Sequence, residues 1–372
     1  MSELQFVFVH GLSGWGSYDD NYRKMPYWGM RGGDLMVYLR RQGFACYAAS
    51  VAPAGSAWDR ACELYAQLAG TRTDYGRAHS TAFQHERFGR DFTGRPLLPE
   101  WHDSTRLVLL GHSFGGAAVR LFSALMAEGS EEEKKATEPA DLCPLFAGGM
   151  AGRIHTLVTL AAPMNGTAAY DMFEDPAFDP AAVKVPWWSG YLAAMMARGT
   201  KPAPDGRDRR DYAAYDMHID NALAMNARIP TLADTYYYSV PCCATQRLAD
   251  GTCVPVKEME PLFVMRSAQI GAYRGMTAGG VCIDESWRDN DGLVNTVSAM
   301  VPAGAPSASL DRNDIRPGIW NVFPVLEADH MYLQGGLMRR HDIRPFYLDL
   351  LDLIVKAEKN PLRSSSDNQL FR

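Results

Sequence analysis

The segment from residue 107 to residue 118 constrains this chain more than any other. It places an apolar run, a Gly-His-Ser-Phe-Gly turn centred on Ser113 and an alanine-rich helical pattern in direct succession. Gly111 and Gly115 remove the Cβ atoms that would clash in so sharp a strand-to-helix turn. The pattern predicts that Ser113 projects from a strand end with a helix N-terminus behind it, where negative charge is favoured. The alternative is a glycine-rich turn with an idle serine, and the flanking apolar strand and helix disfavour it.

Short β-rich runs alternate with helical patterns along the chain, which is typical of a mostly parallel sheet covered by helices. The predicted strands are residues 4–10, 44–50, 106–111, 155–160, 235–240 and 320–326. The predicted helices are residues 31–42, 58–69, 114–128 and 342–356. Several strands are continuous apolar runs, as expected for strands buried on both faces. With the strand–serine–helix segment among them, the pattern predicts an α/β-hydrolase fold with helices on both faces of the sheet.

We expect one domain over residues 1–372, interrupted by two insertions. Residues 74–101 are rich in glycine, proline, histidine and charge and have no clean periodicity. Residues 168–212 contain an apolar helical piece rich in tryptophan and methionine, and their place after the fourth strand indicates a helical lid. Residues 360–372 are polar and are predicted to form a flexible tail.

Composition and charge exclude several classes of partner. The 372 residues carry a net charge of −6, so the chain lacks the basic surface that nucleic acid or an anionic membrane would require. No stretch reaches about 18 uncharged apolar residues, so no membrane span is expected. The first three residues lack a basic segment before an apolar one, so we expect either a cytoplasmic protein or a chain without its secretion signal. The seven cysteines fit either reduced thiols or one disulfide bridge.

A serine hydroxyl is a weak nucleophile unless a base takes its proton, and in this fold the acid and then the histidine follow the serine along the chain. His330 follows an apolar strand and lies in a predicted loop, where a base is expected. His341 opens the last helix and is better explained as a capping or surface residue. Asp291 precedes a glycine in a predicted turn and is the candidate acid. Its rivals are Asp284, Asp289 and Asp329.

Acyl transfer also requires backbone N–H groups aimed at the oxygen that becomes negatively charged. In this fold one group comes from the residue after the nucleophile, here Phe114, and another from the loop after an early strand. The glycine-rich run from His10 to Gly16 follows the first predicted strand and points to Leu12. The alternative for this run is a flexible turn without a catalytic role.

At these residues the sequence resembles the zinc-containing secreted lipases of thermophilic bacilli and staphylococci, over most of the chain. The matching segments are Val9-His-Gly-Leu-Ser-Gly-Trp-Gly, Tyr27-Trp28-Gly, Trp58-Asp-Arg-Ala-Cys-Glu-Leu-Tyr, Asp74-Tyr-Gly-Arg-Ala-His, His85-Glu-Arg-Phe-Gly-Arg, Gly111-His-Ser-Phe-Gly-Gly, Asn290-Asp-Gly-Leu-Val-Asn-Thr-Val-Ser and Asp329-His330. The resemblance implies a catalytic triad of Ser113, Asp291 and His330. It also implies an oxyanion hole formed by the N–H groups of Leu12 and Phe114. A secreted protein, from which a signal peptide has been removed, is implied as well.

The resemblance further implies a structural zinc site. The positions that match its four ligands are Asp59, His79, His85 and Asp216. Two histidines and two aspartates are an acceptable tetrahedral set for Zn²⁺, and a site closed by four protein ligands stabilises structure without activating water. Thermophilic members also bind calcium in the loop after the catalytic histidine. Here that loop reads Met331-Tyr-Leu-Gln-Gly-Gly-Leu, with no carboxylate, so we expect no calcium site.

These residues predict a carboxylic ester hydrolase, a lipase or esterase acting on acylglycerols and related esters through an acyl-enzyme. The stretch between Pro163 and Tyr215 is markedly shorter than the family's lid region, which extends the hypothesis to bulky substrates such as polyesters. Phe114 stands where the family commonly has glutamine, so we expect a more apolar cleft floor. The alternatives are an acyltransferase or thioesterase with the same triad, and a catalytically silent binding scaffold.

Overall fold

The computed structural model describes residues 4–200 and 206–359. Within them, seven strands form one sheet in which every neighbouring pair is parallel. In chain order the strands are β1 (Leu4–Val9), β2 (Ala45–Ala49), β3 (Arg106–His112), β4 (Ile154–Leu160), β5 (Tyr236–Val240), β6 (Ser307–Ser309) and β7 (Trp320–Val322). Their order across the sheet is β6-β7-β5-β4-β3-β1-β2.

Helices cover both faces of this sheet. The longer ones are α1 (Leu35–Arg41), α2 (Ala57–Ala69), α3 (Gly115–Glu128), α4 (Trp187–Thr200), α5 (Val264–Ala272) and α6 (Arg344–Lys359). Helices α1 and α6 share one hydrophobic core with the sheet, and α2 and α3 share the other. The predicted α/β-hydrolase fold is therefore confirmed. The shorter α-helices are Asp20–Lys24, Arg77–Phe83, Glu131–Ala136, Pro144–Ala147, Ala168–Asp171, Ala213–Asp216 and Ile219–Asn226.

The central strands are apolar at consecutive positions because both of their faces are covered. In β1, Phe6 and Phe8 belong to one hydrophobic core, whereas Val7 and Val9 belong to the other. None of these four side chains is more than 1% exposed. A strand with one solvated face would have a polar residue at every second position. The continuous apolar runs in the sequence therefore indicate a sheet enclosed on both sides.

The predicted strands are present, with one difference at the end of the sheet. The last was expected over residues 320–326, but β7 ends at Val322. Pro324 follows, and proline has no N–H to donate to a ladder. Leu326–Glu327 pairs with Cys242–Cys243 outside the main sheet. Strand β6 was not predicted, because it has three small residues at the edge of the sheet and no apolar run.

The two predicted insertions have regular structure of their own. Within residues 74–101, the helix Arg77–Phe83 is followed by the strand Phe88–Asp91, which pairs antiparallel with Arg72–Asp74. In the predicted lid region, α4 packs against the turn Pro261–Phe263 and against α5. Two further antiparallel pairs are Thr245–Arg247 with Cys253–Pro255 and Gly275–Met276 with Cys282–Ile283. The predicted tail lies outside the described residues, and none of the described helices is long and apolar enough to cross a bilayer.

Candidate active site and metal-binding group

Ser113 lies in the sharp turn between β3 and α3. Its backbone φ is +54°, a left-handed conformation that is strained for a residue with a Cβ atom. A Cβ on Gly111 would lie 2.4 Å from the Gly115 carbonyl oxygen, and a Cβ on Gly115 would lie 2.3 Å from the Val9 carbonyl oxygen. Both glycines are therefore required, because each would otherwise clash with backbone that cannot move aside. The turn holds the serine above the end of its strand.

Three side chains that are distant in sequence form a hydrogen-bonded series at this turn. His330 Nε2 lies 2.9 Å from Ser113 Oγ, and His330 Nδ1 lies 2.8 Å from Asp291 Oδ2. An ionised carboxylate can only accept, so Asp291 holds the tautomer in which Nδ1 carries the proton. Nε2 is then free to take the serine proton. All three groups are nearly buried, which strengthens their electrostatic interactions.

The Asp291 carboxylate is fixed by the backbone of its own turn. Its Oδ1 accepts the N–H groups of Leu293 and Val294 at 3.0 and 2.8 Å, which leaves Oδ2 directed at His330. These charge-assisted hydrogen bonds prevent rotation of the carboxylate.

The rival acids and the rival histidine point elsewhere. Asp329 accepts the N–H groups of Glu260 and Met331, and burial raises the pKa of its carboxyl. Asp289 forms an ion pair with Arg247, and Asp284 accepts the N–H of Ser286. The His341 ring packs against the Tyr332 ring, with centroids 4.5 Å apart. None of these groups contacts Ser113 or His330 side-chain atoms in the part of the chain that the structure describes.

The N–H groups of Leu12 and Phe114 lie beside the nucleophile. Neither donates a hydrogen bond to any residue that the structure describes. A Cβ on Gly11 would lie 2.7 Å from Ser113 Cβ, so the loop that carries Leu12 packs directly against the serine. Two unpaired donors at this place are suited to an oxyanion. The Phe114 ring is fully buried among apolar residues, so it lies beneath the cleft and does not form an open floor.

Tyr27 and His112 connect the loop that carries Gly11 and Leu12 to the backbone of His330. The Gly11 N–H donates to Tyr27 Oη at 2.9 Å, and Tyr27 Oη lies 2.8 Å from His112 Nδ1. His112 Nε2 lies 2.9 Å from the His330 carbonyl oxygen, which can only accept, so Nε2 carries the proton. Burial lowers the pKa of His112 well below its ordinary value, so the ring stays neutral and Nδ1 accepts the tyrosine proton. The two catalytic loops are thereby held in one network.

Arg60 binds the backbone of the loop that carries Gly11 and Leu12. It is fully buried on α2, and its Nη2 donates to the carbonyl oxygens of His10 and Gly11. Its guanidinium lies 5.2 Å from the centroid of the Phe114 ring. The segments around Tyr27 and Arg60 were part of the family resemblance, but no local sequence pattern indicated a role for either residue. Their roles depend on contacts with residues that are far away in the chain.

A second group of reactive side chains lies beside the insertion. Ligand atoms of Asp59, His79, His85 and Asp211 all lie within 4.8 Å of one another, so the group could hold a metal ion. Asp59 belongs to α2, His79 to the helix Arg77–Phe83, and Asp211 to the short turn Arg209–Asp211 at the end of the lid region. The Trp58 ring stacks on the His79 ring with centroids 5.0 Å apart, which orients that histidine.

The chemistry of this group fits a metal ion. Asp59 Oδ1 and His85 Nε2 are buried and have no hydrogen-bond partner among the described residues, although buried polar atoms are normally paired. His85 Nδ1 lies 2.9 Å from the Glu86 carbonyl oxygen. That oxygen can only accept, so Nδ1 carries the proton and Nε2 keeps the lone pair that a metal requires. Arg207 Nη1 contacts the other oxygen of Asp59, at 2.6 Å.

The fourth predicted ligand is corrected by the structure. Asp216 Oδ2 accepts the Ala57 N–H at 2.7 Å at the N-terminus of α2, and burial raises the pKa of its carboxyl to about 7. Asp211 lies in the group instead, with carboxylate oxygens 3.1 Å from His79 Nε2 and 3.3 Å from His85 Nε2. The two aspartates are close in sequence, and only the turn between them decides which one faces the histidines.

One supporting residue of this group was not found from the sequence. The Glu133 carboxylate accepts the N–H groups of Ala78 and His79 at 3.0 and 2.7 Å. It thereby caps the start of the helix Arg77–Phe83, which carries His79. Glu133 comes from a run of three glutamates, and nothing in such a run distinguishes the buried one from the solvated ones.

Known proteins similar to this chain are lipases and an esterase. A family model described as "Lipase-like, C-terminal domain" matches residues 3–182. Lipase 1 from Pelosinus fermentans has 30% sequence identity and a TM-score of 0.78, over 97% of this chain and 100% of that chain. EstA from Clostridium botulinum has 28% identity and a TM-score of 0.81, over 95% of this chain and 87% of that chain. The lipase from Staphylococcus hyicus has 26% identity and a TM-score of 0.77, over 96% of this chain and 98% of that chain.

Curated relatives are longer than this chain. The lipase of Staphylococcus hyicus is 28% identical over 382 residues, which are 95% of this chain and 58% of that protein. Lipase 2 of Staphylococcus aureus is 28% identical over 400 residues, covering 96% of this chain and 55% of that protein. The chain therefore spans less than two thirds of the length of these relatives.

Proposed function

Because the chain belongs to the bacterial lipase family that includes the Pelosinus and staphylococcal proteins, we propose that it hydrolyses carboxylic esters of lipid type. The Ser113–His330–Asp291 hydrogen-bond series supports this proposal most directly. His330 takes the serine proton as Oγ attacks the ester carbonyl, and the Leu12 and Phe114 N–H groups stabilise the oxyanion. The alcohol leaves with the proton from His330. Water then repeats the sequence on the acyl-enzyme and releases the acid.

Substitution of the nucleophile tests this activity. Ser113→Ala should lower kcat on p-nitrophenyl butyrate by roughly 10⁴-fold, because no other group can form the acyl-enzyme. The exposed Ser104 provides the control, and Ser104→Ala should leave kcat unchanged. Near-normal turnover by Ser113→Ala would refute the assignment. Failure of a fluorophosphonate to label native Ser113 would favour the silent scaffold. Faster acyl transfer to alcohols than to water would favour an acyltransferase, and faster hydrolysis of thioesters than of esters would favour a thioesterase.

We propose that α4 and its flanking residues, within residues 168–212, form a reduced lid over this site. Trp187 and Tyr191 on this helix are 90% and 68% exposed, which is typical of a surface that contacts lipid. A small lid buries less apolar surface when closed, so we expect weak interfacial activation and access for polyester chains. Soluble product from an aliphatic–aromatic polyester film would support this. A sharp rise in tributyrin hydrolysis at the emulsion interface, with no product from the film, would contradict it.

We propose that Asp59, His79, His85 and Asp211 bind a structural zinc ion beside the insertion at residues 74–101, which carries the two histidines. The donor set of two imidazoles and two carboxylates, with the unpaired Asp59 Oδ1 and His85 Nε2, supports zinc over calcium or magnesium. When bound, the ion would cross-link α2, the insertion and the turn after the lid, and it would not participate in the acyl transfer.

The neighbouring aspartates provide a matched pair of variants for this site. Asp211→Asn should abolish stoichiometric zinc in elemental analysis of the purified protein and lower Tm, because a ligand is lost. Asp216→Asn should keep the zinc, because its carboxylate pairs with the Ala57 N–H. Loss of zinc from Asp216→Asn with retention by Asp211→Asn would restore the ligand set expected from the family.

We propose that the protein acts outside the cell, as the family resemblance implies. Esterase activity recovered in the medium of the native host, with little in washed cells, would agree with this. Activity confined to the cell lysate would contradict it.

A further inference from the structure

A cavity of about 300 Å³ lies on the flank of the sheet, away from the catalytic groups. Helix α3, strands β4, β5 and β7 and the loops near residues 226–231 and 302–305 enclose it. Ser113, Asp291 and His330 do not line it. A volume of this size is at the lower end of that found for small-molecule sites.

Arg120 lines this cavity and has no counter-ion within residues 4–200 and 206–359. Its side chain is 3% exposed, and its guanidinium lies 6.0 Å from the centroid of the Trp320 ring. No carboxylate or carbonyl oxygen of the described residues accepts a hydrogen bond from it. Burial lowers its pKa to about 10, so it stays protonated at neutral pH. A buried charge of this kind is costly unless an anion pairs with it.

Arg60 shows how this fold accommodates another buried guanidinium. Arg60 is also fully enclosed, and two backbone carbonyl oxygens accept hydrogen bonds from its Nη2, whereas its Nε and Nη1 have no partner among the described residues. Arg120 has no such acceptors within the described residues, and its donors border the cavity. The Arg120 guanidinium therefore has donors that a ligand in the cavity could pair with.

The remaining walls define the chemistry of this group. Ser123, Thr231 and Tyr237 contribute hydroxyl groups and Asn226 contributes an amide, whereas Leu157, Pro230 and Trp320 contribute apolar surface. Among the residues that the structure describes, no acidic side chain lines the cavity, and Arg120 is the one cationic side chain that does. A single guanidinium matches one negative charge and binds a carboxylate through two parallel hydrogen bonds. Inorganic phosphate, with up to two charges and no apolar part, would leave the hydrophobic wall unused.

We propose that this cavity is a binding site for a small organic carboxylate, which pairs with Arg120 and places its hydrocarbon part against Trp320. The site is independent of the proposed ester hydrolysis, because it shares no residue with the triad. Its ligand is recognised by one carboxylate and a short apolar chain or ring.

Calorimetric titration of the whole protein with three probes tests the site. Sodium hexanoate should bind at one site and raise Tm, whereas neutral hexanamide and inorganic phosphate should bind at least about tenfold more weakly. Arg120→Met, which keeps the length of the side chain, and Ala305→Phe, which fills the cavity but keeps the arginine, should each weaken hexanoate binding by at least about tenfold. Because Trp320 lines the cavity, its fluorescence should change on binding to the native protein.

Three results would overturn the proposal. Equal binding of hexanamide would show that charge has no role, and tighter binding of phosphate would show that the ligand class is wrong. Unchanged hexanoate binding by both variants would place the probe elsewhere, for example in the catalytic cleft. Stability of the empty protein provides a separate check. Ligand-free Arg120→Met should melt at the same temperature as the native protein or higher, since an unpaired buried charge is removed, and a lower Tm would instead show a structural role for Arg120.

Discussion

Asp291 is suited to the proposed role of the acid because its two carboxylate oxygens have different partners. Oδ1 is held by N–H groups of its own turn, and Oδ2 faces His330. Asp289 lies in the same stretch of sequence, but its carboxylate pairs with Arg247. Two aspartates with the same local composition therefore have different roles. The distinction depends on one tight turn, in which the Asp291 N–H and the Val294 carbonyl oxygen form a further hydrogen bond.

Neutralisation of this carboxylate should disable the base. Asp291→Asn presents an amide that can donate to His330 Nδ1, which favours the tautomer with the proton on Nε2. Such a ring cannot accept the serine proton, so we expect kcat to fall by roughly 10³- to 10⁴-fold with little change in KM. Asp289→Asn is the control and should change kcat by less than about threefold. Steady-state kinetics with p-nitrophenyl butyrate would measure both variants. An equal fall in kcat for the two substitutions would contradict the assignment of Asp291 as the acid.

At the scale of elements, the loop that follows His330 is held by the carboxylate of Glu260, which lies in the segment before α5. Glu260 is fully buried and accepts the N–H groups of Met338 and Arg339 at 2.7 and 3.1 Å. Its own N–H donates to Asp329, the neighbour of His330. The loop is thus fixed from within the chain. This arrangement agrees with the expectation that no calcium binds here, which stays a prediction.

Glu260→Gln should loosen this loop. The amide keeps one acceptor but turns an N–H₂ group towards backbone donors, so we expect the free energy of unfolding to fall by about 1–3 kcal/mol. Because the loop positions His330, kcat should also fall, by less than in Asp291→Asn. Urea unfolding and ester hydrolysis measure the two effects, and the exposed Glu258→Gln is the control. Millimolar calcium should not raise the Tm of the native protein, and a clear rise would show that a calcium site exists.

At the scale of the whole molecule, two neutral histidines are buried at the centre of the active-site network. Burial lowers the pKa of His10 to about 3 and lowers that of His112 well below its ordinary value. In the unfolded chain both titrate near pH 6.5. As the pH falls below that value, the unfolded chain takes up protons that the folded protein does not. Stability is therefore present above about pH 6.5 and is lost progressively down to about pH 3.

This linkage predicts acid sensitivity of the fold. For His10 alone, the free energy of unfolding at pH 5 should be about 2 kcal/mol lower than at neutral pH. Urea unfolding of the native protein at pH 7, 6 and 5 measures the total loss. His112→Asn removes one of the two groups and should make the loss with falling pH less steep, even if the variant is less stable at pH 7. An unchanged pH dependence in this variant would show that His112 does not contribute.

Much of this architecture could be predicted because it depends on local patterns. The apolar runs of β1, β3 and β4 require a sheet enclosed on both faces, and the glycines around Ser113 allow one kind of turn. The edge strand β6 could not be predicted, because three small residues carry no such pattern. The end of β7 was placed too late, because the apolar residues beyond it pair with another segment.

The sequence by itself determined the fold class and the candidate nucleophile, because each rests on residue chemistry within a short window, whereas the family resemblance selected Asp291 from its rivals. The tertiary structure decided what depends on contacts between distant segments. It placed Asp211 among the metal-binding side chains in place of Asp216, and it brought Tyr27, His112 and Arg60 under the catalytic loops. It also left Arg120 without a counter-ion or hydrogen-bond acceptor among the described residues. A buried charge is defined by what surrounds it, and those surroundings arise only when the chain has folded.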